Sequence, residues 1–316
     1  MISAVTTKSP ALSLAWRLLA IYDRGLPELP DLTVYLESLA ARIVNRRLLH
    51  ARLLNPFLLR TAVPPLAAAE GRKVESIHRL GKRIVVGLED ELYLVLHLMV
   101  AGRLRWDAKT PKRITLARFE FDGGTLSLTE SGSKRRASLH VVQGRSALAA
   151  MDPGGLEVLD SDIQAFSSRL KSENHTLKRA LTDPRLFAGI GNAYSDEILH
   201  RAQLSPIALT QSLDDAEAAR LFSAARAVLV EWTDRLRNQA GGAFPEKVTA
   251  FRDEMAVHGK YGKPCPVCGA PVQRIVYAEN ETNYCARCQT GGKILADRAL
   301  SRLLKKSWPR SLEKLG

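Results

Sequence analysis

Cysteine is scarce: four residues in a chain of 316. That is too few for a disulfide scaffold at this size, so their spacing is read for metal instead. Long apolar runs are missing as well. No window approaches eighteen uninterrupted apolar residues, which excludes a membrane-spanning helix. Acidic residues are outnumbered, 33 against 46 Lys and Arg, leaving a net charge of +13 and a pI near 9.8. A field of that sign draws polyanions: nucleic acid first, an anionic membrane surface second, acidic small substrates last. There is no internal repeat and no low-complexity tract. The 46% hydrophobic and 25% charged content is that of a globular protein of two domains or three small modules.

The pattern changes several times along the chain. Residues 1–26 hold an apolar stretch, Ala11 to Tyr22, interrupted by Arg17 and lacking a cleavage site. It is a poor signal peptide and too short for an anchor, and reads as a short amphipathic surface helix. A helix is expected from Asp31 to about Val44, with Leu32, Leu36, Leu39 and Ile43 at helical spacing. Short alternating segments follow: VESIHRLGKRIVVGLE, ELYLVLHLMVAGRLRW, LARFEFDGG, TLSLTE and ASLHVV. They predict a β-sandwich or barrel ending near the Asp152-Pro-Gly-Gly155 turn. Period 3.6 then takes over in Asp160–Leu170, Leu177–Leu181, Ala193–Arg201 and Asp214–Arg237. Strand character resumes after Gly259, and a basic tail after Thr290 has room for one helix.

Cys265-x-x-Cys268 and Cys285-x-x-Cys288 form two knuckles sixteen residues apart, the spacing that presents four thiolates to a structural zinc. No βαβ pattern surrounds them, so a redox dithiol is disfavoured. Gly189-Ile-Gly191-Asn192 bends the chain just before a helix. Amides exposed there, with the Asn192 side chain, suit a phosphate, or the segment is an ordinary helix–turn–helix joint. Pro27-Glu28-Leu29-Pro30-Asp31 by itself is a rigid loop holding carboxylates.

The ordered set is more specific than its parts. Pro-Glu-Leu-Pro, Gly81-Lys82, His97-Leu-x-x-x-Gly-Arg-Leu104, Gly-Ile-Gly-Asn-x-Tyr and the terminal four-Cys module run in sequence from Pro27 to about Gln289. This resembles the formamidopyrimidine-DNA glycosylase and endonuclease VIII family of base-excision-repair enzymes. The resemblance implies an α+β multidomain fold: a catalytic N-terminal β-sandwich with flanking helices (27–155), a helix-two-turn-helix domain (156–258), a zinc finger (259–290) and a basic tail (291–316). It also implies a bifunctional glycosylase and AP lyase, with one structural zinc, acting as a cytoplasmic, nucleoid-associated monomer. Its partner would be double-stranded DNA carrying damaged bases or abasic sites, with no membrane involved. By the same resemblance Pro27 is the amine nucleophile, Glu28 the proton-shuttling carboxylate, and Lys82 a phosphate contact beside the lesion. Arg136, Lys178 and Asn192 fall at DNA-binding positions.

Some positions depart from the family pattern. Asp31 stands where glutamate is common. Val100-Ala101-Gly102 replaces Met-Ser-Gly, and Arg135-Arg136-Ala137-Ser138 replaces Arg-Arg-Phe-Gly, so the side chains that fill the gap of a flipped base are smaller. Asn280 takes the place of a DNA-contacting arginine, and the Gly241–Gly259 segment is short for a loop capping oxidised purines. These changes point toward an endonuclease VIII-like or divergent lesion choice. A proline inside a peptide bond has no basic amine. The expectation is therefore a translation start at position 26, whose removal exposes Pro27; otherwise the scaffold is a non-catalytic binder of DNA lesions or DNA structure.

Overall fold

The computed structural model describes residues 26–132, 134–246, 248, 252–277, 280–305 and 308–314. Residues 1–25 of the expected N-terminal extension lie outside them. Among the described residues no helix is long and apolar enough to cross a membrane.

Helix α1 runs Leu29–Ile43, two residues ahead of the expected start. Glu28 is its N-cap, and the Glu28 N–H donates to the Asp31 side chain (3.1 Å). Pro30 sits in the first turn, where a missing N–H costs nothing. Pro30 thus belongs to the helix, while Pro27 stands in the extended chain just before the N-cap. Its apolar stripe, Leu32, Tyr35, Leu39 and Ile43, is fully buried against the sandwich.

Eight strands form two antiparallel sheets. One has the order β1-β6-β7-β5, with β1 Leu48–Leu53, β5 Gly102–Trp106, β6 Thr115–Phe121 and β7 Gly124–Glu130. The other has the order β2-β3-β4-β8, with β2 Val74–Leu80, β3 Arg83–Leu88, β4 Leu92–His97 and β8 Ser138–Gln143. Their facing side chains, including Ile84, Val86, Leu94, Phe119, Leu128 and Leu139, make one apolar core. The stretch read as one strand from Glu91 to Trp106 is two, in different sheets. The chain turns between them at Met99 (φ 52°), and a side chain at Gly102 would place its Cβ 2.1 Å from the Leu98 carbonyl oxygen. Short helix α2 (Arg145–Ala149) and the residues after it cover the outer face of the second sheet at Val85, Val95 and Val142.

The second half is helical: α3 Ile163–Lys171, α4 Leu177–Thr182, α5 Asn192–Ala202 and α6 Asp215–Ala240. Asp214 caps α6 through a box with Glu217, and Gly241 (φ 55°) ends it. Phe166, Phe187, Tyr194 and Trp232 lie in the core of this half, and Leu29 of α1 joins them. Past α6, strands β9 (Val272–Tyr277) and β10 (Asn280–Cys285) pair as a hairpin, followed by α7 (Ala286–Thr290) and, in the tail, α8 (Arg298–Leu304).

Candidate functional site

The site forms where the start of α1 meets the start of α5. Gly189 (φ 78°) accepts the Leu29 N–H at its carbonyl (2.9 Å), and a Cβ there would lie 2.8 Å from Leu29 Cβ. A Cβ on Gly191 would come within 2.5 Å of Glu28 Cδ and 2.7 Å of Lys82 Nζ. Both glycines are therefore required by close approach.

Glu28 is 1% exposed. Its Oε2 accepts the N–H groups of Gly191 (2.6 Å) and Tyr194 (3.2 Å), and its Oε1 accepts that of Ala193 (2.8 Å). These are the unpaired amides and positive dipole end of α5, matched by a buried carboxylate. The phosphate expected at these amides is thus replaced by the protein's own glutamate. Pro27 is buried directly before it.

Lys82 reaches the same place from the β2–β3 turn. Burial lowers its pKa and the neighbouring Lys178 lowers it further, while the Glu28 carboxylate opposes both. Lys178 donates to the Asn192 carbonyl (2.6 Å) and to Asp196 Oδ1 (2.5 Å). The Asn192 side-chain amide donates to the Glu281 carbonyl in β10 (2.8 Å), so it ties α5 to the hairpin. Five expected site residues thus converge. Arg136 comes from a separate loop between β7 and β8, exposed, with its N–H held by Glu130 Oε1 (2.9 Å). Ala137 beside it is buried in the sandwich core, where it has no access to a base stack. Met99, Val100 and Ala101 lie half-buried on the β4–β5 turn. Asn280 opens β10, and its side chain lies outside the described residues.

Sequence reasoning missed several groups. Arg252 donates to Asp31 Oδ1 (3.1 Å), an ion pair 8% and 1% exposed at its two side chains. Burial nevertheless pushes the Asp31 carboxyl up to about 6, with Arg252 opposing. The Arg252 Nε and the Tyr194 hydroxyl are buried without hydrogen-bond partners among the described residues. A cavity of about 430 Å³ opens alongside, lined by Asp31, Val34, Gln239, Phe244 and Arg252 among others. On β4 the His97 ring accepts the Met99 N–H at Nδ1 (3.1 Å). Burial first, then Arg83, Lys82 and His140, lower its pKa to about 4.

The four cysteine sulfurs lie within 4.8 Å of one another, with Cys265···Cys288 at 3.9 Å and Cys268···Cys285 at 3.3 Å. Four thiolates at Zn–S bonds of about 2.3 Å stand about 3.8 Å apart in a tetrahedron, so the set fits one structural zinc. Side chains of α5 reach the module and the segment leading into it. Glu197 accepts the N–H groups of Ala256, Val257 and His258 (2.8, 2.9 and 2.9 Å), and the His200 ring contacts Cys265 Sγ (3.3 Å).

In this arrangement a sandwich's first helix plants its capping glutamate on a second helix, and a four-thiol hairpin docks on that same helix. Three family descriptions match in order: the formamidopyrimidine-DNA glycosylase N-terminal domain over residues 26–137, its H2TH domain over 154–236, and the zinc finger found in FPG and IleRS over 262–291. The chain belongs to the formamidopyrimidine-DNA glycosylase family. It is 33% identical over 276 residues to the formamidopyrimidine-DNA glycosylase of Thermus thermophilus, covering 84% of this chain and 100% of that one. A formamidopyrimidine-DNA glycosylase-like protein of Mycobacterium tuberculosis is 41% identical over 156 residues, 49% of this chain and 95% of the relative. Among solved structures, the Thermus thermophilus enzyme superposes with a TM-score of 0.71 at 34% identity, covering 83% of this chain and 98% of that one. The Lactococcus lactis enzyme in complex with DNA containing an oxidised pyrimidine superposes with a TM-score of 0.74 at 26% identity, covering 84% and 100%.

Proposed function

We propose that this protein is a bifunctional DNA glycosylase and AP lyase that removes oxidised bases from duplex DNA in base excision repair. The observation that carries this reading is Glu28, next to Pro27, buried and pinned by three amides of α5 with Lys82 at the same point. A free Pro27 nitrogen attacks C1′ of the damaged nucleotide. The C1′–base bond breaks and the base leaves with a proton. The sugar ring then opens to an iminium, with Glu28 moving protons at the ring oxygen. The iminium acidifies C2′–H; loss of that proton expels the 3′ phosphate, and a second elimination expels the 5′ phosphate.

Lys82 and Lys178 are positive groups for the flanking phosphates, Arg136 enters the strand gap, and Asn192 orders the backbone between them. The cavity beside Asp31 has the size of a small-molecule pocket and takes the extruded base. An enzyme of chromosomal DNA works in the cytoplasm at the nucleoid.

In the 316-residue chain Leu26 precedes Pro27, and an amide nitrogen cannot form an iminium. The test compares that chain with one beginning at Pro27, each incubated with abasic duplex and borohydride. The Pro27 chain should give a covalent complex and a nick, and the longer chain should bind without trapping. Equal trapping by both, with masses verified, would move the nucleophile to a lysine. No trapping by either would leave a DNA-binding protein without lyase chemistry.

A further inference from the structure

We propose that Asp196 is a positioning residue that couples the docking of the zinc hairpin to the grip of Lys178 on DNA. The inference rests on the proposed role of Lys178 as a phosphate contact. The Asp196 side chain is fully buried, and its two oxygens are divided between two parts of the molecule. Oδ1 takes the Lys178 ammonium (2.5 Å). Oδ2 takes the Asn283 backbone N–H from β10 (3.1 Å) and His258 Nδ1 from the segment leading into the zinc module (2.8 Å).

The hairpin is fastened at the same end of α5 a second time. Asn192 donates to the Glu281 carbonyl there, and the Asn192 carbonyl is the other acceptor for Lys178. Asn283 itself is fixed through the Gly259 N–H on its Oδ1 (2.8 Å) and through Glu281 on its amide (2.8 Å). Lys178 therefore gives two of its three N–H donors to groups that also hold the hairpin. Its side chain is 13% exposed, so what remains available to a phosphate is a narrow window whose direction those partners set.

A buried carboxylate stripped of one partner is costly, so the two halves of this network stand or fall together. A hairpin displaced from α5 would leave Oδ2 unpaired and release Lys178 from its direction. By reciprocity, a phosphate drawing on Lys178 favours the docked hairpin.

The test is a double-mutant cycle on the zinc-loaded full-length protein, read as affinity for a duplex containing a tetrahydrofuran abasic analogue across a salt series. Lys178→Ala should weaken binding and flatten the salt slope by roughly one unit. Asp196→Asn should weaken binding about tenfold, within the coupling expected inside one network. In the Lys178→Ala background the same Asp196→Asn change should cost under about twofold, because its route to DNA has already gone. Equal losses in both backgrounds would make Asp196 a purely structural clamp and overturn the proposal. An unchanged affinity and slope for Lys178→Ala alone would instead reject the phosphate role of Lys178, a separate failure. Should Asp196→Asn fail to hold one zinc per chain, His258→Ala removes one Oδ2 donor and leaves the Lys178 pair in place. Its smaller loss should likewise vanish without Lys178, and a loss that persists there counts against the coupling.

Discussion

The sandwich core and the junction around α5 are both closed to water, and they are built from opposite materials. Between the sheets the contacts are Leu, Ile, Val and Phe, which attract in proportion to area and tolerate exchange for a neighbour of like volume. Around α5 the buried groups are Glu28, Asp196, Glu197, His200, His258, Asn283 and Gln289. Each meets its partners in one placement only. The Gln289 side chain, for example, accepts the Cys285 N–H and donates to the Leu204 carbonyl. The first material gives stability without much placement. The second gives placement at the risk of a large penalty when a partner is removed. The proposed reaction, with one amine, one carboxylate and two ammonium groups at fixed positions, is served by the second.

The comparison breaks most completely at the zinc. Cys268→Ser removes a ligand, and a hairpin with a core of a few residues has little else to hold it. Zinc per chain should fall well below one, limited proteolysis should cut beyond α6, and DNA binding should be lost, while the sandwich stays folded. Retention of full zinc and affinity would show that the four thiols are not its sole support.

Within the folded protein, Phe119→Ala in the sandwich (2% exposed) should cost about 3–5 kcal/mol in chemical denaturation, whereas Leu94→Met should cost under about 1.5 kcal/mol. At the junction an equally conservative change in shape should be worse than Leu94→Met. Glu197→Gln keeps one acceptor oxygen and turns an NH2 toward at least one of the three backbone N–H donors, and should cost about 1–3 kcal/mol and loosen segment 256–258 to hydrogen exchange. If Glu197→Gln is as mild as Leu94→Met, the polar junction is no more demanding than the apolar core.

The same contrast explains what was legible in the sequence. The apolar sandwich announces itself by alternation, the helices by period and caps, and the zinc module by cysteine spacing. Strand β1 escaped because it is an edge strand with only Leu48 buried, so it has no alternation to read. The family motifs brought Glu28, Lys82, Lys178 and Asn192 to attention, but not what they touch. Glu28 meets α5 across 163 residues and Asp31 meets Arg252 across 221, distances over which no periodicity speaks. In α5 the structure supplies what the sequence did not show. Asp196, Glu197 and His200 stand in a helix whose residues from Ala193 to His200 are all buried, and acids there require partners from elsewhere in the chain.

The smallest net effect in the parent protein should come from pH, where Asp31 and His97 oppose each other. The Asp31 carboxyl titrates near 6 in the folded chain against 3.8 as its ordinary value. Between those values the native state holds the extra proton, so Asp31 makes stability fall as pH rises from about 4 to 6. His97 is reversed: its folded value is near 4 against an ordinary 6.5. There the unfolded chain holds the extra proton, so His97 makes stability rise over about pH 4 to 6.5. Each term amounts to roughly 3 kcal/mol at most, and in the parent protein they largely cancel. Asp31→Asn should therefore steepen the gain in stability with pH across this window, and His97→Gln should turn it toward a loss. The readout is the difference between variant and parent denaturation midpoints from pH 4 to 7. Difference curves of the same sign, or flat ones, would mean that burial at Asp31 is fully offset by Arg252 or that His97 is better solvated than its surroundings indicate.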